Sequence, residues 1–337
     1  MEIHTIEVVP AGLEFKCDEE TPILQAANQA GLVLPYGCRK GNCGTCKAQV
    51  LDGEVDLETE STYSLSQFEQ DQGFTLLCSA YAVSDLVLEI DVDVEELTAP
   101  STASDINGEV VEVTALTHDI RRLRIALETP LEFRAGQFAQ VNAPGTDVWR
   151  SYSMANSPSR PSEAEFMIKV IPGGEFSSRL ETLTVGTPIR LNGPHGQFSV
   201  RDHDRPLLLV GGGAGMAPLW SILCDLAERR DPRPVRFFYG ARSTRDLFHL
   251  DELSAIGAEL ADFQLVTALS DSAGSEADGH ENGLVTDVVR RRLGREIADH
   301  EAYLCGPPPM IDATLVLLEA HGLRERKTIF YDKFSPS

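Results

Sequence analysis

The sequence has little positive charge and no long uninterrupted apolar segment. Its 337 residues include 29 Lys and Arg against 52 Asp and Glu, a formal net charge of −23. Nucleic-acid binding needs a surface of the opposite sign, so we expect no nucleic-acid partner. The most apolar stretch, residues 206–220, is too short and too rich in glycine to cross a bilayer. The chain does not open with a basic flank and an apolar core, so we expect no secretion signal and no membrane attachment.

Histidine-based metal patterns are also missing. The eight histidines are scattered without H-x-x-H or E-x-x-H spacing, which argues against a diiron or zinc hydrolytic centre. Four of the seven cysteines, by contrast, follow a C-x4-C-x2-C…C pattern at Cys38, Cys43, Cys46 and Cys78. This spacing is typical of the ligands of a plant-type [2Fe–2S] cluster. A zinc site and unrelated thiols are the alternatives, although zinc sites usually show paired C-x2-C clips or histidines.

The environment of these cysteines supports the cluster. Three glycines in residues 37–44 permit the unusual φ angles and the close backbone approach that wrapping a cluster requires. The other three cysteines, Cys17, Cys224 and Cys305, are then expected to be free thiols, as in the reducing cytoplasm. We therefore expect a cytoplasmic protein.

Residues 1–97 predict a small domain of strands with one helix that opens at Thr21-Pro22. Together with the cysteine motif, this segment resembles a plant-type ferredoxin, which implies an α+β fold of the β-grasp type. It holds 19 acidic and 4 basic side chains, a net charge of −15. This charge is either a solvated surface or a docking face for a basic patch on an electron acceptor. Residues 98–104 have the composition of a linker.

Residues 105–202 contain short strands at a cadence that predicts an antiparallel β-barrel. Residues 150–153 place a cation, an aromatic ring and two hydroxyls on one strand. Residues 172–178 form a glycine turn that leads into a helix start, a natural cradle for an anion. A third turn is expected at 193–198, with His195 in a structural role.

In this combination and order the motifs resemble the flavin-binding domain of the ferredoxin–NADP reductase superfamily. The resemblance implies that the flavin is FAD, because the ferredoxin segment leads the chain. It implies Arg150 on the flavin pyrophosphate, Tyr152 against the isoalloxazine ring and Ser153 near its reactive nitrogen. It also implies that Gly174 and Ser177 cradle phosphate.

Residues 203–337 alternate strands and helices, which predicts an α/β domain with a parallel sheet. A buried strand is followed at once by a glycine turn and a helix, the place where a dinucleotide pyrophosphate rests on backbone amides. The glycines of this turn are Gly211, Gly212, Gly213 and Gly215. The turn resembles the G-G-x-G-x-A-P turn of the same superfamily and departs from the G-x-G-x-x-G fingerprint.

Two further motifs belong to this domain. Cys305 and Gly306 stand before three prolines and resemble the nicotinamide-end motif of the superfamily, which implies Cys305 beside the hydride-transferring carbon. Phe334 resembles, more loosely, the aromatic tail that lies near the flavin. For the nucleotide, Arg242 and Arg245 favour a 2′-phosphate and hence NADPH, whereas Asp246 favours NADH.

Along nearly its whole length the chain resembles the reductase component of bacterial multicomponent oxygenases. The resemblance implies that NADH reduces FAD, and that the cluster passes single electrons to an oxygenase partner, most readily a monooxygenase hydroxylase. The same layout would also suit a reductase for a ring-hydroxylating dioxygenase or for a sugar-nucleotide deoxygenation enzyme. A passive electron carrier is the remaining alternative, and the flavin and nicotinamide motifs argue against it.

Overall fold

The computed structural model describes residues 2–36, 39, 41, 44–58, 64–65, 67–90, 97–98, 103–271, 279–324 and 327–334. Two of the predicted cluster ligands, Cys38 and Cys43, lie outside these residues. The chain divides into two compact units, residues 1–102 and 103–337. Within the described segments, none of the helices is long and apolar enough to cross a membrane.

The first unit contains a five-stranded mixed sheet in the order β2-β1-β7-β3-β5. The central strands β1 and β7 run parallel, with Ile6 opposite Leu86, and the other neighbours are antiparallel. One helix packs its apolar side chains into the core, which gives the expected β-grasp fold. The elements are β1 Ile3–Val9, β2 Leu13–Asp18, α1 Ile23–Gln29, β3 Lys47–Asp52, β4 Val55–Leu57, α2 Gln67–Asp71, β5 Phe74–Leu76, β6 Ala80–Ala82 and β7 Leu86–Glu89.

The second unit begins with six antiparallel strands in the order β11-β10-β13-β8-β9-β12. A bridge between Met154 and Phe166 joins the end of β11 to β12 and closes the sheet into the expected barrel. Alternate side chains of these strands fill the interior, with Leu123 and Ile125 fully buried. The strands are β8 Ser104–Ala115, β9 Ile120–Leu127, β10 Phe138–Asn142, β11 Trp149–Ser153, β12 Glu163–Lys169 and β13 Pro188–His195.

The rest of the second unit is a parallel sheet in the order β17-β16-β15-β14-β18-β19, with helices on both faces. Strand β14 is a continuous apolar run, and every residue of β14 and β18 is buried because both faces of these strands are covered. The elements are β14 Leu207–Gly211, α3 Met216–Glu228, β15 Val235–Ala241, α4 Leu250–Glu259, β16 Phe263–Leu269, β17 Glu281–Asn282, α5 Val285–Leu293, β18 Glu301–Gly306, α6 Pro308–Ala320 and β19 Ile329–Lys333.

Several elements differ from the sequence-based expectation. Residues 329–333 form a strand where the pattern predicts only an aromatic tail, and helix α4 is not predicted at all. Strand β8 begins at Ser104, inside the segment with linker composition, because Ser104 pairs with Gly193 of β13. Strand β13 continues through His195, where a turn is predicted, because His195 pairs with Phe138 of β10. Gly193 suits this position because a Cβ there would lie only 3.1 Å from the Cβ of Ala139, so a larger residue would crowd the neighbouring strand.

Candidate functional site

The described part of the cluster segment brings Cys46 and Cys78 together. Cys46 is buried directly before β3, and Cys78 is half-buried two residues after the end of β5. The amide of Leu77 donates to the carbonyl of Cys46 at 3.1 Å, which fixes the two segments against each other. The amide of Gly41 donates to the sulfur of Cys78 at 3.2 Å. A backbone N–H aimed at a sulfur stabilises the negative charge of a thiolate, so this arrangement fits an iron–sulfur cluster.

Ser64 holds the backbone of Gly41 from outside the cysteine loop. Its hydroxyl donates a hydrogen bond to the carbonyl oxygen of Gly41, and the residue is almost fully buried. The sequence motif gives no sign of Ser64, because this residue lies well beyond the cysteine loop along the chain.

The residues predicted to hold the flavin lie on β11 and on the turn after β12. The guanidinium of Arg150 pairs with the carboxylate of Glu175, and it also donates to the carbonyl of Trp149 at 2.9 Å. The ring of Tyr152 packs 5.1 Å from that of Phe176 between centroids, and burial raises the pKa of Tyr152 well above its usual value. Ser153 is buried at the end of the same strand.

The glycine turn at 172–178 is shaped by a serine side chain. The hydroxyl of Ser177 accepts a hydrogen bond from the amide of Ile171 at 3.1 Å. A Cβ on Gly174 would lie 2.6 Å from that hydroxyl oxygen, so a larger residue there would displace the hydroxyl from this position. Gly173 has φ +76°, a backbone angle that glycine adopts without strain. The hydroxyl of Ser177 therefore holds the turn in shape.

The glycines of the nucleotide turn meet strand β18 at the carboxyl end of the parallel sheet. A Cβ on Gly215 would lie 2.2 Å from the carbonyl oxygen of Cys305 and 2.6 Å from the Cα of Gly306. A Cβ on Gly212 would lie 2.8 Å from the carbonyl oxygen of Gly240. The turn can approach its neighbours this closely only with glycine, and helix α3 begins directly after it. This is the arrangement that binds a dinucleotide pyrophosphate.

Cys305 and Phe334 lie on the same face of the sheet. Both belong to the cluster of apolar side chains that includes Ala155 and Met167 of the barrel. The amide of Phe334 donates to the carbonyl of Gly306 at 2.9 Å, which places Phe334 beside β18. Cys305 is fully buried, and this burial, followed by the charge of Asp332, raises the pKa of its thiol well above 9.0. The thiol is therefore neutral at physiological pH.

The carboxylate of Asp246, in the segment that follows β15, accepts hydrogen bonds from Ser243. It accepts a hydrogen bond from the amide of Ser243 at 2.9 Å, and the hydroxyl of Ser243 accepts one from the amide of Asp246, which together form a capping box. The hydroxyl of Ser243 also lies 2.8 Å from the same carboxylate oxygen. The other oxygen of this carboxylate lies 3.7 Å from Nδ1 of His118 on the barrel. The side chain of Arg245 is 73% exposed, with its Nε 4.0 Å from the same carboxylate.

Three family models match consecutive parts of the chain. The 2Fe-2S iron-sulfur cluster binding domain matches residues 6–83, the oxidoreductase FAD-binding domain residues 107–200, and the oxidoreductase NAD-binding domain residues 209–315. With the geometry above, they define an iron–sulfur flavoprotein reductase that uses a [2Fe–2S] cluster, FAD and NADH.

Similar proteins narrow the class to a family. The reductase component of propane 2-monooxygenase from Mycolicibacterium smegmatis is 43% identical over 98% of this chain and 97% of its own length. The reductase component of phenol 2-monooxygenase from Pseudomonas sp. strain CF600 is 36% identical over 98% and 94%. The crystal structure of an Amycolatopsis cytochrome P450 reductase matches with a TM-score of 0.78 and 31% identity over 99% of both chains. The chain belongs to the family of oxygenase reductase components.

Proposed function

We propose that this chain transfers electrons from NADH through FAD and a [2Fe–2S] cluster to a monooxygenase hydroxylase. The observation that carries the proposal is the meeting of Gly215, Cys305 and Phe334 at one end of the sheet, on the face that packs against the barrel. When bound, NADH, FAD and the [2Fe–2S] cluster supply the redox chemistry: NADH is a two-electron donor and the cluster is a one-electron carrier. The protein supplies their positions and excludes water.

We propose the following roles for the residues of the flavin site. Arg150 binds the flavin pyrophosphate, which replaces the carboxylate of Glu175 as its ion-pair partner. The side chain of Glu175 is 61% exposed and free to move aside. Tyr152 and Ser153 line the isoalloxazine ring. The backbone of the turn at Gly174 and Ser177 cradles phosphate.

At the nicotinamide end, the amides of the glycine turn after β14 hold the dinucleotide, and Gly306 lets it approach β18. Cys305 contacts the reacting end of the nicotinamide as a neutral thiol, and so it shapes the site without exchanging a proton. Phe334, directly after β19, covers the flavin. Cys38 and Cys43 complete the cluster ligands with Cys46 and Cys78.

We propose the domain divisions 1–97, 98–104, 105–202 and 203–337, and a cytoplasmic location, where NADH is formed and thiols stay reduced. The oxygenase docks on the acidic first domain, whose charge complements a basic partner surface.

NADH is preferred over NADPH because the fixed carboxylate of Asp246 repels a 2′-phosphate. Asp246→Asn is expected to raise the efficiency with NADPH and leave that with NADH nearly unchanged.

The function is tested on the purified full-length chain. We expect equimolar FAD and [2Fe–2S] cluster, with overlapping absorption that bleaches when NADH is added without oxygen. A colourless protein that binds stoichiometric zinc at its cysteines would overturn the proposal. So would a flavin that NADH does not reduce.

A further inference from the structure

A buried ammonium group lies on the last strand of the parallel sheet. The side chain of Lys333 is only 6% exposed, although it stands at the end of an edge strand. Its Nζ lies 2.7 Å from Oδ1 of Asp312 on helix α6, and 5.5 Å from the ring centroid of Tyr331. Burying a charge is costly unless it is paired, so this contact holds the strand and the helix together.

The alternation of side chains along β19 shows on which face of the sheet the ion pair between Lys333 and Asp312 lies. Phe330 and Phe334 pack in the cluster that contains Cys305, on the face toward α3 and the barrel. Ile329 and Tyr331 pack in the cluster on the opposite face, against α5 and α6. Lys333 follows the second set and reaches α6. The ion pair therefore anchors β19 from the face opposite the reacting groups.

The position of Lys333 determines where the next residue, Phe334, lies. Lys333 stands opposite Gly306 in the parallel ladder, and Asp332 stands opposite Cys305. The next residue, Phe334, is held by the hydrogen bond from its amide to the carbonyl of Gly306. Among the described strands, β19 has a neighbour on one side only, and an edge strand opens locally more readily than a central one.

We propose that Lys333 is a positioning residue for the reduction of the flavin by NADH. Its pair with Asp312 keeps the end of β19 against α6, and this keeps Phe334 beside Cys305 and the nicotinamide. The inference rests on the proposed function, because it assumes that Phe334 lies at the flavin.

The test uses the full-length protein with its cofactors and measures flavin reduction by NADH in single-turnover stopped flow. Lys333→Met retains most of the buried stem but removes the charge. We expect its limiting rate to fall on the order of tenfold, because small displacements of positioning groups are costly. The dissociation constant for NADH and the FAD content should stay close to wild type. Asp312→Asn, a change at a half-exposed residue, should lower the rate in the same direction, and Lys333→Arg should restore most of it.

A matched control lies at the other end of the same sheet. Asp262 is 51% exposed, as is Asp312, and it pairs with Arg236 at the same distance of 2.7 Å. Asp262→Asn should leave the rate of flavin reduction unchanged. A loss of rate equal to that of Asp312→Asn would show that any lost ion pair slows the enzyme, and would overturn the inference.

A double-mutant cycle separates positioning from a general loss of stability. If Lys333 acts through Phe334, Lys333→Met should add no further loss in a Phe334→Ala background. Full additivity, or a Lys333→Met variant that is reduced at the wild-type rate, would overturn the inference. Both outcomes leave the proposed function intact, because that function fails on the wild-type protein, either when it binds zinc in place of the cluster or when NADH does not reduce its flavin.

Discussion

Replacing Gly215 by alanine tests whether flavin reduction requires the close approach of the glycine turn to β18. The added Cβ would lie 2.2 Å from the carbonyl oxygen of Cys305 and 2.4 Å from its carbonyl carbon, whereas ordinary contacts begin near 3.4 Å. All of these neighbours are backbone atoms. Strand β18 cannot yield, because β14 and β19 pair with it on both sides. The turn must therefore move by about 1 Å, and a misplacement of this size can cost about 100-fold in rate.

Single-turnover reduction at saturating NADH measures this effect directly. We expect Gly215→Ala to retain FAD, because the flavin site is on the barrel, and to lose about 100-fold in the limiting rate. Overpacking should also destabilise the protein by about 1–3 kcal/mol.

Gly322→Ala provides the control for stability. Gly322 has φ +88° and open space around its Cβ position, so alanine there costs about 1–2 kcal/mol of strain without a clash. Gly322→Ala should leave the limiting rate of flavin reduction unchanged. A Gly215→Ala enzyme reduced at the wild-type rate would show that the close approach has no functional role.

Four further predictions concern other parts of the chain. Cys305→Ala should slow flavin reduction while FAD stays bound and NADH affinity changes little; reduction at the wild-type rate would make Cys305 a packing residue. Burial raises the pKa of Cys17 to about 11 and that of Cys224 to about 12, so the folded protein keeps protons that the unfolded chain releases. Denaturant titrations should therefore show stability falling as the pH rises above 9, and a flat profile would contradict this. Electron transfer to the oxygenase should weaken steeply with salt, as the screening length shortens to about 10 Å at 0.1 M; indifference to salt would leave the acidic residues as solubilisers. A chain that begins at Ala103, where the second unit starts, should oxidise NADH with ferricyanide but fail to reduce the oxygenase.

The sequence predicts best what depends on local chemistry. Strands β1, β9 and β16 follow from alternation or apolar runs, and the nucleotide turn follows from glycines directly after a buried strand. The capping box at residues 243–246 also matches the local S-x-x-D pattern, so Asp246 could have been identified in advance as a positioning side chain.

Contacts between distant segments leave no such pattern. Lys333 and Asp312 belong to different elements, and nothing in either segment indicates that they meet. Ser64 likewise supports Gly41 from a separate segment. The need for glycine at 215 is of the same kind, because it arises from the position of β18 rather than from the turn itself.

The chemistry of this protein belongs to its cofactors, and this explains why so many of its site residues act through the backbone. The amide of Gly41 contacts a sulfur, and the missing Cβ of Gly215 admits a neighbouring carbonyl. The thiol of Cys305 stays neutral because it is buried. An electron-transfer site needs fixed distances rather than side chains that gain and lose protons. Substitutions that shift the backbone, at glycines or at anchors such as Lys333, should therefore impair the enzyme more than those that remove an exposed charge.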